Sequence, residues 1–289
     1  MLVQRYPRFR RRLRRWLKRS TLATIILLLC CYIYGTKIEP NWIEVVPIEL
    51  TLTNLDPAFN NFKIVQISDL HVSKFMPKAR LAKIVRLVNQ QNADAIAITG
   101  DIVTKRSHFD AIELQQYLSQ LKATSGIVAV LGNHEHWIGN LDLLEEVLAQ
   151  SQIDNLHNEV YTIERDGHQL AFAGIDDPYW GQPDLDRVIH YLPEGVPAIF
   201  LVHEPDYIET SAATHKFALQ LSGHSHGGQV RIPYFTPLVL PIGGRKYFAG
   251  LERVEDTFTY TNRGLGMTNL AIRIGSRPEI TVFSLYSPA

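Results

Sequence analysis

Apolar positions along the chain fall into two alternating rhythms. Short apolar runs, WIEVVPIEL, FKIVQIS (62–68), AIAIT (95–99), GIVAVL (126–131), AIFLV (198–202) and FALQL (217–221), have the length and composition of strands, and AIAIT is β-branched enough to be a buried one. Between them the spacing becomes helical. Leu81, Ile84, Val85 and Val88 follow Pro77, a residue suited to a first helical turn; Leu114, Tyr117, Leu118 and Leu121 form a second stripe. Leu141, Leu144 and Leu148 form a third with Asn140 as its cap, and a further helix is expected near 184–191. EVYTIERDGHQLAFAGI is two alternating runs joined at Arg165-Asp166-Gly167, a hairpin signal. GQVRI, KYFAGLERV, TFTYTNRG, LAIRIG and EITVFSL then read as strands. The alternation predicts an α/β fold with two sheets faced by helices, the hairpin-rich C-terminus supplying much of the second sheet.

The N-terminus follows another rule. RFRRRLRRWLKRS precedes TLATIILLLCCYIYG, the order of a basic flank and an apolar membrane segment. The uninterrupted apolar stretch, residues 22–35, would be roughly 21 Å long as a helix at about 1.5 Å per residue, short of the ~30 Å of hydrocarbon. No small-residue cleavage pattern follows it, so an uncleaved anchor is expected, with the basic flank cytoplasmic and the body extracytoplasmic at the plasma or inner membrane. The predicted organisation is a basic flank (1–19), a membrane anchor (20–37), a tether (38–47) and one catalytic domain (48–289).

Charge sharpens this division. The 289-residue chain is formally neutral, yet residues 1–19 hold nine of its 29 basic residues and no acid. The remainder sets 20 bases against 29 acids, a poor surface for nucleic acid, so no nucleic-acid partner is expected. The only cysteines, Cys30 and Cys31, lie in the apolar segment, which leaves His, Asp, Asn and Glu as metal donors in the body.

Those donors have an order. Buried strands of an α/β domain deliver functional groups at their carboxyl ends. Asp69 and His71 follow KIVQIS, Asp101 follows AIAITG, Asn133 and His134 follow VAVLG, His203 follows IFLV, and His224 and His226 follow ALQLSG. Each piece alone has a plain structural reading: Asp-x-His as a turn, Gly-Asp as a turn, Gly-Asn-His-Glu as a helix cap. None of these explains why all five follow buried strands.

The succession D-x-H, GD, GNH[DE], H and GHxH resembles the calcineurin-like metallophosphoesterase superfamily. EVVPIEL, GHSHGGQV, RKYFAGL, NRGLG (262–266) and RPEITVFSL extend the likeness to its membrane-anchored bacterial phosphodiesterase branch, which includes relatives acting on UDP-diacylglucosamine, over about residues 42–285. The resemblance implies two mixed β-sheets sandwiched by helices behind an N-terminal membrane helix. It also implies two divalent ions, one held by Asp69, His71, Asp101 and His226, the other by Asp101, Asn133, His203 and His224, with Asp101 bridging. His134 would contact the phosphate or protonate the leaving oxygen. Manganese, iron, zinc and nickel all suit imidazole and carboxylate donors. Glu135 and His136 are candidate groups behind the ligands, and Arg263 is a candidate substrate contact.

The expected activity is hydrolysis of a phosphodiester or pyrophosphate, with a lipid-linked or cell-envelope phosphate and the membrane as partners. The apolar, proline-broken stretch IPYFTPLVLPIGG (232–244) reads either as a loop over its own core or as a lip for acyl chains, through Tyr234, Phe235, Leu238, Val239, Leu240 and Ile242. A diesterase for soluble nucleotides or nucleic acid, and a metal-stabilised interaction module without turnover, are the competing readings.

Overall fold

A computed structural model of the protein describes residues 6–73, 76–104, 109–231, 237, 239–268 and 270–288. In chain order its elements are α1 (Tyr6–Ile33), β1 (Glu44–Thr51), β2 (Phe62–Ile67), α2 (Lys78–Asn89), β3 (Ala93–Thr99), α3 (Ala111–Leu118), β4 (Ala123–Val130), α4 (Leu141–Gln150) and β5 (Asp154–Asn155). They continue as β6 (Glu159–Arg165), β7 (His168–Gly174), α5 (Leu185–Tyr191), β8 (Ala198–Leu201), α6 (Ile208–Ala212), β9 (Leu219–Ser222), β10 (Gly250–Val254), β11 (Thr257–Thr261) and β12 (Glu279–Tyr286).

Two mixed six-stranded sheets result, ordered β1-β12-β2-β3-β4-β5 and β10-β11-β9-β8-β7-β6. Strand alternation decides which core each side chain joins. In β3, Ala95 and Ala97 face the second sheet, where they meet Phe172, Ile199, Leu201, Leu219 and Leu221. Ile96 and Ile98 point the other way, onto Leu81, Ile84 and Val88 of α2, Leu114 and Leu118 of α3, and Leu144 and Leu148 of α4. The small alanines between the sheets leave room for Phe172 and Phe283. On the far face, Ala173 and Phe200 pack with Val188 of α5. The expected α/β sandwich is therefore what forms, and the central strands of both sheets bury both faces.

Local signals behave as their chemistry predicts. Asn140 caps α4, its Oδ1 accepting the Leu143 N–H at 3.3 Å. Asp166 and Gly167, at φ 54° and 78°, close the β6–β7 hairpin. Pro47 lies in β1, an edge strand paired only with β12, where a missing N–H costs no ladder bond.

Three expectations are corrected. β12 enters the first sheet, between β1 and β2, while β10 and β11 extend the second. Among the described residues, GQVRI (228–231 of it) and LAIRIG form no strands; they meet in a single bridge, Val230 to Ile274, and Gly228 and Gln229 in the first and Gly275 in the second take φ of 79°, 51° and 69°, outside strand geometry. The stretch 38–47 does not hang as a tether: Glu39 and Pro40 are buried, and β1 starts at Glu44.

α1 is 28 residues long, and the helix it belongs to is long and apolar enough to cross a membrane by length and composition.

Candidate metal centre

β2, β3 and β4 run parallel in one sheet, and β8 and β9 run parallel in the other. Their carboxyl ends carry Asp69 and His71, Asp101, Asn133 and His134, His203, and His224 and His226, and the fold brings all eight together. All are buried except His224, which is half-buried. Five of them, Asp69, His71, Asp101, His224 and His226, sit in left-handed backbone at φ between 47° and 69°. Such residues cost roughly 1 to 3 kcal/mol each unless their surroundings fix them. Here neighbouring loops do so: the Asp69 N–H donates to Gly100 O, and the His71 N–H to Asp101 O.

At this site three groups of donors lie close enough to share a cation: Asp69, His71 and His226; His71, Asp101 and His134; and Asp101, His203 and His224. Asp101 belongs to two of them. Its Oδ2 is 3.4 Å from His71 Nε2 and 3.3 Å from His203 Nε2, between the two halves of the site. His226 Nε2 lies 3.3 Å from Asp69 Oδ1 and 3.0 Å from His71 Nε2. Two imidazole nitrogens at that separation need a shared proton or a cation between them.

Hydrogen bonds behind the rings fix which nitrogen faces inward. His203 Nδ1–H donates to Thr99 O at 2.7 Å, turning Nε2 to Asp101; His224 Nε2–H donates to Ile242 O at 2.9 Å, freeing Nδ1. Among the described residues, His203 Nε2, His71 Nδ1 and Asn133 Oδ1 are buried without a hydrogen-bond partner. A buried orphan acceptor is costly, and a cation would satisfy Asn133 Oδ1 and take the place of a proton on His203 Nε2 beside Asp101. Burial pushes His71 down to about 3 and His224 down to about 4, so both are neutral lone-pair donors at pH 7. Burial opposes a charge on His203 too, but the carboxylate of Asp101 holds its affinity for a proton well above the ordinary imidazole range. That negative field favours any cation. The donor set therefore fits divalent metal.

Close backbone approach makes the site compact. A Cβ at Gly132 would lie 2.6 Å from Asp101 Oδ1, and one at Gly223 would overlap Ser68 Oγ and Asp69 Oδ2. Glu135, fully buried, accepts the backbone N–H groups of Asp101, Val103 and Gly132 at 2.7 to 3.0 Å and so clamps two ligand loops together. Burial pushes its carboxyl up to about 8. His136 is set farther back, 2.8 Å from Asp176 Oδ1. Arg263, expected to meet substrate, is instead spent on Glu279 and Glu44, and it is absent from the cavity wall. Two flanking carboxylates draw it inward.

Other polar groups of the site escaped the sequence reading. Asp176 and Asp177 follow β7, and the strand-end rule applied there would have found them. Glu204, beside His203, is fully buried with Oε1 4.0 Å from His224 Nδ1. Arg273 is fully buried, and no local pattern marks it.

The donors open onto a cavity of about 600 Å³. Asp101, Asn133, His134, His224 and His226 form its floor, and Trp137, Val230, Val239, Pro241 and Leu270 an apolar wall. Val239 is 81% exposed, Ile242 64% and Leu270 66%. Of the expected lip, Tyr234, Phe235 and Leu238 lie outside the described residues.

Two mixed sheets that present carboxylates and imidazoles at converging strand ends define a class of metal-dependent hydrolase. The model of the calcineurin-like phosphoesterase family matches residues 62–228, more than half of the chain, and the chain belongs to that family of metal-dependent phosphoester hydrolases. It is 34% identical to the metallophosphoesterase YkuE of Bacillus subtilis, over 89% of this chain and 90% of that one. It is 30% identical to the phosphodiesterase YaeI of Escherichia coli, over 86% and 90%. It is 26% identical to the UDP-2,3-diacylglucosamine pyrophosphatase LpxG of Chlamydia muridarum, over 93% and 97%.

Proposed function

We propose that the protein is a two-metal phosphodiesterase or pyrophosphatase acting on a lipid-linked or cell-envelope phosphate at the membrane surface, its body extracytoplasmic. The observation that carries the metal assignment is the position of Asp101 Oδ2, within 3.4 Å of imidazoles from both halves of the site. Asp69, His71, Asp101 and His226 would hold one divalent ion, and Asp101, Asn133, His203 and His224 the other. When bound, such a pair supplies an acidified water and positive charge for the phosphoryl oxygens.

The protein's own residues do the rest. Asp101 spaces the two donor sets. His134 lies on the cavity floor, its ring centroid 4.5 Å from that of His71, and in this reading it holds a proton for the leaving oxygen. Its backbone N–H donates to Asp101 Oδ1 at 2.9 Å, so the proton donor and the bridging carboxylate move as one unit. Divalent ions held by these residues would offset the negative charge of the body, and an acidic domain could then attract phosphate.

The lipid part of the proposal rests on three supports: the apolar α1, the apolar wall of the cavity, and the lipid-derived substrate in the name of the relative from Chlamydia muridarum. The excess of arginine and lysine before the apolar segment favours a cytoplasmic N-terminus and hence an extracytoplasmic body. Assays of the purified full chain with Mn²⁺ or Zn²⁺ on a generic diester, a monoester and a lipid pyrophosphate test it. Preferred cleavage of the lipid substrate is expected, and turnover of soluble diesters alone would overturn the lipid assignment. His134→Gln should retain both ions and lose about 10²- to 10⁴-fold in turnover. Loss of metal in that variant would make His134 a ligand instead.

A further inference from the structure

The end of the membrane helix does not stop at the surface of the body. Gly35 is buried against Ile272 and Ile274, where a Cβ would lie 2.8 and 2.9 Å from their Cγ1 atoms, and its carbonyl accepts the Arg273 N–H at 2.8 Å. Four residues on, Glu39, fully buried, accepts the Ser276 N–H through Oε1 at 2.7 Å. Both partners, Arg273 and Ser276, belong to the segment 270–276, whose first residue, Leu270, lines the cavity.

From this segment two chains of contacts run inward. Ser276 Oγ donates to the backbone carbonyl of His226 at 2.7 Å. Arg273 donates through Nη2 to the carbonyls of Arg263, Gly264 and Gly266 at 2.8 to 3.0 Å, closing the loop 262–266 around one fully buried guanidinium. That loop is the back wall of Asp69: the Gly266 N–H donates to Asp69 O at 2.6 Å, and a Cβ at Gly264 would lie 2.7 Å from Asp69 Cβ. Both chains end on the same donor group, Asp69, His71 and His226, and neither reaches His203 or Asn133.

We infer that the membrane-proximal residues Gly35 and Glu39, acting through Arg273 and Ser276, are positioning residues for one half of the metal centre. The exit of the anchor is thus a structural part of the active site. This rests on the metal assignment proposed above. A hydrogen bond behind a ligand shapes its geometry, and removing one typically costs about 10- to 100-fold in metal affinity. Loosening the anchor exit should therefore weaken one ion and spare the other.

The test is a titration of the detergent-solubilised full chain with Mn²⁺ after chelation, read as bound metal per chain alongside hydrolysis of a generic diester. Wild type should bind two ions. Glu39→Leu, which removes the acceptor for Ser276, should hold one of the two ions about 10- to 100-fold less tightly, with activity restored by excess metal. Glu39→Gln, which keeps an oxygen acceptor, should stay near wild type. Ser276→Ala, a smaller change, should shift the same ion in the same direction. A wild type with two ions and a Glu39→Leu variant with both at unchanged affinity would overturn the positioning role alone. A wild type that takes up no divalent ion would overturn the metal assignment first, and the positioning role with it.

Discussion

A methyl group added at Gly223 would overlap Ser68 Oγ and Asp69 Oδ2, and both side chains are fully buried and held, Ser68 by Thr99 O and Asp69 by the His224 N–H. Gly223→Ala should therefore displace Asp69 while leaving the sheets intact. A displacement of about 1 Å in a catalytic array costs about 10²-fold. The expected outcome is a drop of that order in turnover with an unfolding transition close to wild type; unchanged activity would show that Asp69 need not hold its place. All eight site residues could be named from the sequence because each follows a buried strand, and strand ends are the one place where backbone topology forces distant residues together. Arg263 shows the boundary of that logic. Its motif was visible, but Glu44 and Glu279, which neutralise it, lie 219 and 16 residues away in sequence. Glu39 and Arg273 were invisible for the same reason: no local pattern tells a buried charged side chain from an exposed one.

Among the elements, β7 and β8 show where stability is concentrated. Phe172 lies between the sheets, fully buried, opposite the small Ala95 and Ala97. Truncating it leaves a cavity that neither sheet can close. Phe172→Ala should lower stability by about 3 to 5 kcal/mol, measured by denaturant unfolding of the full chain. A loss below about 1 kcal/mol would mean that the sheets collapse onto the gap. The buried strands and the three helical stripes were legible because their periods are strong and their runs bounded by Gly, Pro or Asn. GQVRI and LAIRIG alternate just as well, yet left-handed residues, Gly228 and Gln229 in the first and Gly275 in the second, interrupt them, and alternation carries no information on φ. The sheet that receives β12 was not legible either, since strand order is set by long-range pairing and not by any segment's own pattern.

At the scale of the whole molecule, the N-terminal helix, body and cavity form one continuous structure. Leu270, on the cavity wall, is two residues from Ile272, which packs on Gly35 at the end of the helix. Substrate bound in this cavity would thus lie beside the helix exit. Replacing Val239, Ile242 and Leu270 together by Ser should reduce hydrolysis of a lipid pyrophosphate about tenfold or more, the equivalent of burying one apolar side chain at ~1.5 kcal/mol, and leave a soluble chromogenic diester nearly unaffected. Equal losses on both substrates would remove the lipid reading and leave a metal-dependent diesterase beside a membrane.

The metal pair is the claim on which the rest depends, and anomalous X-ray scattering from Mn²⁺-soaked crystals tests it most directly. Two peaks about 3.5 to 4 Å apart, one among Asp69, His71 and His226, the other among Asn133, His203 and His224, with Asp101 between them, are predicted. A single peak, or two peaks away from Asp101, would contradict the account.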